Sequence, residues 1–488
     1  MNIFREQDLD VLNEKIGEIQ KNIDKIRLME YEPNFNEQTG IMNIIKKYIK
    51  QKKRKIYGGF AINELIKQKN KDDAFYKEDE QVADIDFYST DPIGDLHALC
   101  NLIFNAGYKN LQGREADHPE TYSIFINRIN YVDITYTPKN IYNTIPFIDI
   151  NGMYMTHPSF IKIDYYRMFS DPIVSYWRIE KTYTRFALLD KHFPEKKIEK
   201  PYKLIKPSVD ISKVLLSIFK YLSNKTEIMF VGEYAYNYFL KESNIKKKYI
   251  KQLPVTKFEV ILTEYKNQAS ELFNLLKDKY GDDISITEYY PFFQIIGYRF
   301  NIFYKKQLVL CGEHYNDKCI PYKIVESDLF DLKTKYSAIV TLASYDRNIL
   351  FVMTRAQYYK TNNDKNIMYN YKTMLSHLLE MRRYYLESNK KTILDNSLFE
   401  EFLIKCIGST LLPQTERQRL INKRIAKGKP INYTYYPDRK QTDGSDINHS
   451  FYNTSGNAIR NPRNLRVLAD IDTEEQLPEE QGEEIEKI

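Results

Sequence analysis

Tryptophan and glycine are scarce in this 488-residue chain, with one Trp and 17 Gly. Cysteine occurs four times, at Cys100, Cys311, Cys319 and Cys406. No secretory leader opens the sequence, so the four read as reduced thiols of an intracellular protein, not a disulfide framework. Cys311, His314 and Cys319 lack the second ligand pair of a structural zinc site, which argues against a zinc module. No apolar run approaches the roughly eighteen residues that cross a bilayer, so no membrane contact is expected. A G-x-x-x-x-G-K-[ST] motif is also missing, which argues against a P-loop ATPase.

The abundant residues are 41 tyrosines and 72 lysines and arginines. Lysine, asparagine, isoleucine and tyrosine together make the vocabulary of an AT-rich genome, so most tyrosines need no functional account. The formal charge of +6 is unevenly spread: Ala469–Ile488 holds nine acids and one base, a net of −8, which leaves +14 on the remainder. Such a body can attract a polyanion, with a basic protein that merely stays soluble as the plainer alternative. The chain is too long for one ordinary core, so two or three domains are expected.

Residues 1–55 read as helices, because "DLDVLNEKIGEIQKNIDKIRLM" repeats apolar residues at three- and four-residue spacing. From Lys55 the period changes to short strands alternating with helices, which predicts a mixed α/β fold. We expect a first domain over 56–193, a Pro- and Lys-rich linker over 194–212, a second domain over 213–410, and a basic, then acidic, tail over 411–488. The second domain repeats the first: "FVGEYAYNYFL" (230–240) lies over "IYGGFAINELI" (56–66) without a gap. In that alignment Gly59 becomes Glu233, Asp84 becomes Lys257, Asp86 becomes Glu259 and Asp133 becomes Asn301. The second copy is thus degenerate.

The residues lost in the second copy mark the chemistry of the first. Asp84 and Asp86, at i and i+2 of a strand, project to one face. Asp133, between Val132 and Ile134, can join them from a neighbouring strand. Carboxylates so close repel one another unless cations hold them, and Mg²⁺ takes carboxylate and phosphate oxygens. Gly58 and Gly59 open a helix where backbone N–H groups can approach a phosphate. Lys162, Arg167, Arg178, Lys181 and Arg185 crowd the helical block that follows. Arg178, Lys181 and Arg185 share one helix face. Asp164 and Tyr166 are possible nucleotide contacts, with a structural Asp and a core Tyr as the plainer alternative.

A glycine pair opening a helix, then D-h-D, then a third strand Asp resembles the nucleotidyltransferase superfamily with a DNA polymerase β-like fold. The gap from Gly59 to Asp84 is longer than usual there, with "NKDDAFYKEDEQ" as an insertion. Within the superfamily, "MTHPSFIKIDYYRMFSDPIVSYWRIEKTYTRFALLDK" (155–191) resembles the poly(A) polymerase family of poxviruses and giant viruses. That resemblance implies two tandem nucleotidyltransferase-like domains, the second inert. It implies Asp84, Asp86 and Asp133 as catalytic ligands of two Mg²⁺ or Mn²⁺ ions. Gly58, Gly59, Lys162, Arg167, Lys181 and Arg185 would bind the nucleotide. The implied reaction is template-independent transfer of AMP from ATP to an RNA 3′ end. The host cytoplasm, in viral factories or the virion, is the implied location. The duplicated inert domain leads us to expect a homodimer. Another terminal nucleotidyltransferase (uridylyl or CCA type) and a non-catalytic RNA-binding module stand as alternatives. The segment 417–440, mixing cations with tyrosines, is a candidate surface for single-stranded RNA.

Overall fold

The computed structural model describes residues 3–439, apart from 31–33, 77–81, 119, 316–317, 329, 331–337, 427 and 429–430. The acidic end, Lys440 of the basic segment and part of the insertion before Asp84 lie outside these. Two compact units result: one takes described residues 3–168, 174–196 and 411–439, the other 169–173 and 197–410.

The first unit opens with helix α1 (Glu6–Glu30) and helix α2 (Phe35–Lys52). Leu9, Leu12, Ile16, Ile19, Ile23 and Ile26 succeed one another by three and four residues, the seam of a coiled coil. All of these except Leu12 are exposed. Helix α2 starts in a capping box: Asn34 Oδ1 accepts from Glu37 N, and the Asn34 N–H donates to the Glu37 carboxylate. Then come β1 (Lys55–Tyr57), α3 (Gly58–Lys67), β2 (Ile85–Ser89), α4 (Pro92–Asn105), β3 (Leu111–Glu115), β4 (Thr121–Ile126) and β5 (Ile129–Tyr136). Helix α5 (Lys139–Thr144), β6 (Phe147–Ile150), β7 (Met153–Thr156), α6 (Pro158–Phe169), α7 (Pro172–Ser175) and α8 (Ile179–His192) follow. The alternation in "KIY", "IDFYS" and "NYVDITY" buries Ile56, Ile85, Phe87, Val132 and Ile134 on the core side. Leu96, Leu99 and Cys100 of α4 are fully buried, and a Cβ on Gly113 of β3 would meet Leu96 and Cys100, so α4 covers that part of the sheet.

The second unit runs α9 (Ser212–Leu222), β8 (Ile228–Val231), α10 (Gly232–Ser243), β9 (Phe258–Leu262), α11 (Tyr265–Tyr280) and β10 (Ile284–Tyr289). Next are β11 (Arg299–Tyr304), β12 (Gln307–His314), β13 (Ile320–Glu326), β14 (Ile339–Ala343), α12 (Tyr345–Thr361), α13 (Lys365–Asn389) and β15 (Cys406–Ile407). The chain then returns to the first unit with α14 (Pro413–Ala426) and β16 (Thr434–Tyr435). The described part of the segment expected as a tail is therefore folded: β16 pairs antiparallel with β3.

Both units hold an eight-stranded mixed sheet, ordered β16-β3-β4-β5-β2-β1-β7-β6 and β10-β11-β12-β9-β8-β14-β13-β15. Without β16 and β15 the two orders coincide strand for strand. The directions coincide too, for β2–β5 and β9–β12 are parallel, as are β1–β7 and β8–β14. The duplication seen in the sequence is thus a duplication of fold. The repeated asparagines have repeated jobs. Asn63 Oδ1 accepts from Phe75 N and Tyr76 N, both at 2.9 Å, and Asn237 Oδ1 accepts from Leu253 N at 2.8 Å. Each pins the loop that leads into the next strand of its sheet.

The structure corrects two more expectations. Asn301 is not the counterpart of Asp133. Asp86 faces Asp133 across β2–β5 and Glu259 faces Cys311 across β9–β12, so Cys311 stands in the place of Asp133. Asn301 pairs with Cys311 as Ser123 pairs with Asp133, one strand away. The thiols are not all reduced either: Cys319 and Cys406 form a disulfide that ties β15 to the start of β13, while Cys100 and Cys311 are buried and free.

Candidate active site

The turn between β1 and α3 favours glycine. Gly58 has φ +69°, and a Cβ there would lie 2.0 Å from Asp86 Oδ2. The left-handed conformation suits glycine, and the missing side chain lets the Asp86 carboxylate reach the helix start. A Cβ on Gly59 would meet Arg185 Nη1 and Tyr76 Oη, each at 2.7 Å. The first-turn N–H groups of a helix have no intrahelical acceptors, so this end favours an anion.

The carboxylates come together by strand register. Tyr57 of β1 pairs with Asp86 of β2, and Asp86 with Asp133 of β5, so one row crosses three strands. Asp84 precedes Asp86 by two residues on the same face. Burial, then the charge of Asp133, raises the Asp84 pKa, while Lys181 and Arg185 oppose the shift. Asp86 is driven well above the usual carboxylate range by burial, then by Asp84 and Asp133, against Arg185 and Arg178. Ser123 Oγ and Asn130 Nδ2 donate to Asp133 Oδ1 at 2.5 and 3.0 Å and fix that carboxylate. Among the described residues no three His, Cys, Asp or Glu side chains already converge at metal-ligating distance. Ser123 and Asn130 escaped the sequence reading; the signal was polar side chains at outward positions of "TYSIFINRINYVDITY".

The cations sort into two groups. Arg185 stacks 4.6 Å over Phe75 and 5.1 Å over Tyr76, and its Nη2 donates to Tyr76 Oη at 2.9 Å. Asn63 holds both aromatic residues, so the loop before β2 carries Arg185 to the helix start. Arg178 lies 4.2 Å over the exposed Trp177 ring and feels Asp86 and Asp133. With Lys181 these form a cationic margin to the carboxylates. Arg167 instead pairs with Asp164 at 3.1 Å. Asp164, whose side chain is 36% exposed, also accepts from Tyr88, and Tyr166 is buried against Phe186.

Lys162 requires correction. Its side chain is 1% exposed, and its ammonium donates to Asp190 Oδ1 and the Phe193 carbonyl at 2.7 and 2.8 Å, with Glu195 at 3.2 Å. It joins α6 to the end of α8, so its charge serves the fold and not a nucleotide.

The second unit closes the same place from within. Gly232 repeats the turn, with φ +66° and a would-be Cβ 2.0 Å from Glu259 Oε2. The Lys257 ammonium lies 3.1 Å from Glu259 and 3.8 Å from Glu233. Burial disfavours that ammonium, but Glu233 and Glu259 hold it protonated. Tyr202 donates to Glu233 and Tyr371 to Glu259, each at 2.5 Å. An internal ammonium thus stands among the carboxylates.

Comparison with known proteins agrees with this geometry. Residues 43–175 match the family model described as "Poly(A) polymerase catalytic subunit". Residues 188–468 match a model for the C-terminal part of the APMV poly(A) polymerase catalytic subunit. A protein of Acanthamoeba polyphaga mimivirus designated a poly(A) polymerase catalytic subunit is 32% identical over 96% of this chain and 85% of its own length. One of African swine fever virus with the same designation is 26% identical over 36% of this chain and 38% of its own. The crystal structure of the Megavirus polyadenylate synthase superposes with a TM-score of 0.86 at 32% identity, covering 95% of this chain and 94% of that one. With the carboxylate row beside a glycine turn in one unit and an ammonium in its place in the other, the chain belongs to the poly(A) polymerase catalytic subunit family.

Proposed function

We infer that this chain is a polynucleotide adenylyltransferase that joins AMP from ATP to an RNA 3′-hydroxyl and releases pyrophosphate. The observation that carries the reading is the row Tyr57–Asp86–Asp133, which sets two carboxylates side by side against the glycine turn. Asp84 and Asp86, raised by burial and by their carboxylate neighbours, stand beside Asp133 in a set that fits hard divalent cations, so the three would hold Mg²⁺ or Mn²⁺. Two such ions, when bound, would make the RNA hydroxyl a better nucleophile and neutralise the leaving pyrophosphate.

The protein's own part is placement and charge. Gly58 and Gly59 let the triphosphate lie against the N–H groups of α3. Arg185, held by Tyr76 beside the helix start, offsets its charge together with Lys181 and Arg178. Ser123 and Asn130 hold Asp133 still, so that hydroxyl and phosphorus meet in one geometry. Transfer occurs at one site per chain, because Lys257 fills the corresponding place in the second unit. A second copy packs along the exposed 3-4 seam of α1, giving a homodimer. Light scattering of an Ile16→Lys/Ile23→Lys variant would then read a monomer, and an unchanged mass would sink that assignment.

The decisive assay is extension of a labelled RNA oligonucleotide with Mg²⁺ or Mn²⁺ and each NTP separately, beside an Asp84→Asn/Asp86→Asn control. Growth with ATP alone that vanishes in the control supports the reading. Growth with UTP or CTP instead changes the nucleotide, and no growth with any NTP overturns it.

A further inference from the structure

Next to Asp133 a groove runs across the sheet, away from the glycine turn. Its near part, about 390 Å³, is lined by Asp133, Ser123, Asn130, Arg114 and Phe125. Its far part, about 790 Å³, shares Gln112, Arg114 and Phe125 and adds Lys109, Arg128, Tyr436 and Arg439. Register explains the continuity. Asp133 pairs with Ser123, Ser123 with Arg114 and Arg114 with Thr434, a row of four strands spanning about 14 Å at the usual strand spacing.

The C-terminal strand completes this groove. Arg424 grips the Glu115 carboxylate with two nitrogens at 2.6 and 2.7 Å. Arg417 donates to the Ala116 carbonyl and to Asn432. Tyr435 stacks on His97 with centroids 4.0 Å apart. Arg417 and Arg424 of α14 are thus committed to holding the segment, whereas Arg419 and Lys423 of the same helix are exposed. The groove itself presents other groups. In the far part Lys109, Arg114, Arg128 and Arg439 stand against one carboxylate, Asp438, and all four are exposed, while Glu115, Asp117 and Asp133 line the near part with Arg417. Arg114 lies 4.1 Å over the Phe125 ring, and Arg439 lies 4.3 Å over the Tyr436 ring. Guanidinium–aromatic pairs beside open aromatic surface are the chemistry that binds unpaired bases and phosphates together.

One backbone detail favours a ligand role over packing. Asn127 and Arg128 form the two-residue β4–β5 hairpin, with φ +49° and +69°. Glycine is the preferred residue at the second position of such a turn. Arg128 holds it at a conformational cost, with its side chain lining the groove.

We propose that this groove is the track for the single-stranded RNA just upstream of the 3′ end, with Phe125 and Tyr436 taking bases and Arg114, Arg128 and Lys109 taking phosphates. The proposal rests on the adenylyl-transfer reading for the position of the 3′-hydroxyl at Asp133, but binding tests it separately. The test is anisotropy of a labelled oligo(A) on the full chain without ATP, across a salt series. Phe125→Ala should weaken binding about tenfold. Arg128→Gly should weaken binding and flatten the slope of log K against log salt by about 0.7, while its melting temperature holds or rises. Loss of affinity without loss of stability is what a purely structural arginine would not give. Lys365→Gln, in the second unit, controls for the loss of any one positive charge. Native affinity and slope in both groove variants would overturn the track, as would an equal loss in Lys365→Gln. A native chain that binds RNA through the groove yet extends it with no NTP would instead overturn only the transfer reading.

Discussion

The two glycine turns allow the same backbone insult to be placed in an active and an inert copy of one fold. Gly58→Ala puts a methyl 2.0 Å from Asp86 Oδ2 at φ +69°, and Gly232→Ala puts one 2.0 Å from Glu259 Oε2 at φ +66°. The left-handed backbone costs an alanine about 1–2 kcal/mol in each. Asp86 or Glu259 must then swing aside by more than an ångström to reach ordinary contact. Melting temperatures of the two variants should therefore fall together by a few degrees. Their chemistry should part. A catalytic group misplaced by about 1 Å costs roughly a hundredfold in rate, so Gly58→Ala should extend a labelled RNA with ATP at about 1% of the native rate or less. Gly232→Ala, measured well below its melting temperature, should extend it at the native rate. Equal losses in both variants would show that stability, not the position of Asp86, governs turnover. Native extension by Gly58→Ala would show that Asp86 takes no part.

Four further outcomes follow from the geometry. Lys257→Met leaves Glu233 and Glu259 buried without their cation, so chemical denaturation should show a loss of about 3–5 kcal/mol in the second unit. Arg185→Ala should raise the KM for ATP roughly 10- to 100-fold, the worth of a charge-assisted contact, whereas Lys162→Met should lower the melting temperature and leave that KM where it was. Burial lifts the Asp346 carboxyl to about 6. The folded state therefore binds its proton more tightly than the unfolded chain, and stability falls as pH rises from about 4 to 6. Asp346→Asn should thus raise the melting temperature at pH 7.5, with the gain shrinking towards pH 4. Asp84→Lys should mimic the second unit: the first unit should melt higher without divalent ions and lose any rise on adding Mg²⁺, which a bound ion would otherwise give by mass action.

What was legible in the sequence was what depends on near neighbours along the chain. Asp84 and Asp86 could be placed because strand side chains alternate, and Gly58 because a helix begins where a strand ends. Asp133 could be read as a partner because apolar residues flank it within its own strand. Contacts set by distant segments were hidden. Lys162 finds Asp190 twenty-eight residues later and Phe193 beyond it, and nothing near Lys162 marks its charge as spent. Strand β16 has only two residues, and its pairing with β3 joins positions more than three hundred apart. The Cys319–Cys406 bridge spans 87 residues with no spacing signature. The Asn301 alignment failed for a sharper reason. Neighbouring strands of one hairpin carry the same alternation, so a sequence match cannot tell β11 from β12, and only the register that sets Glu259 opposite Cys311 can.

That register also explains why the inert unit keeps acidic residues at all. A strand crossing next to a helix N-terminus gathers side chains at a place where the backbone already favours negative charge. Two carboxylates there need a cation, and the fold offers two sources. The first unit has Asp84 where the second has Lys257, and burial with the charges of Asp84 and Asp133 raises the Asp86 pKa well above the usual carboxylate range. The second supplies the cation itself: Lys257 sits two residues before Glu259, as Asp84 sits two before Asp86, and Tyr202 and Tyr371 complete the carboxylates' hydrogen bonds. Three further changes go with Lys257: Glu233 stands where the first unit has Gly59, Glu259 where it has Asp86 and Cys311 where it has Asp133. The second unit keeps its strand order and its glycine turn because both serve the packing of Glu259, with no substrate required.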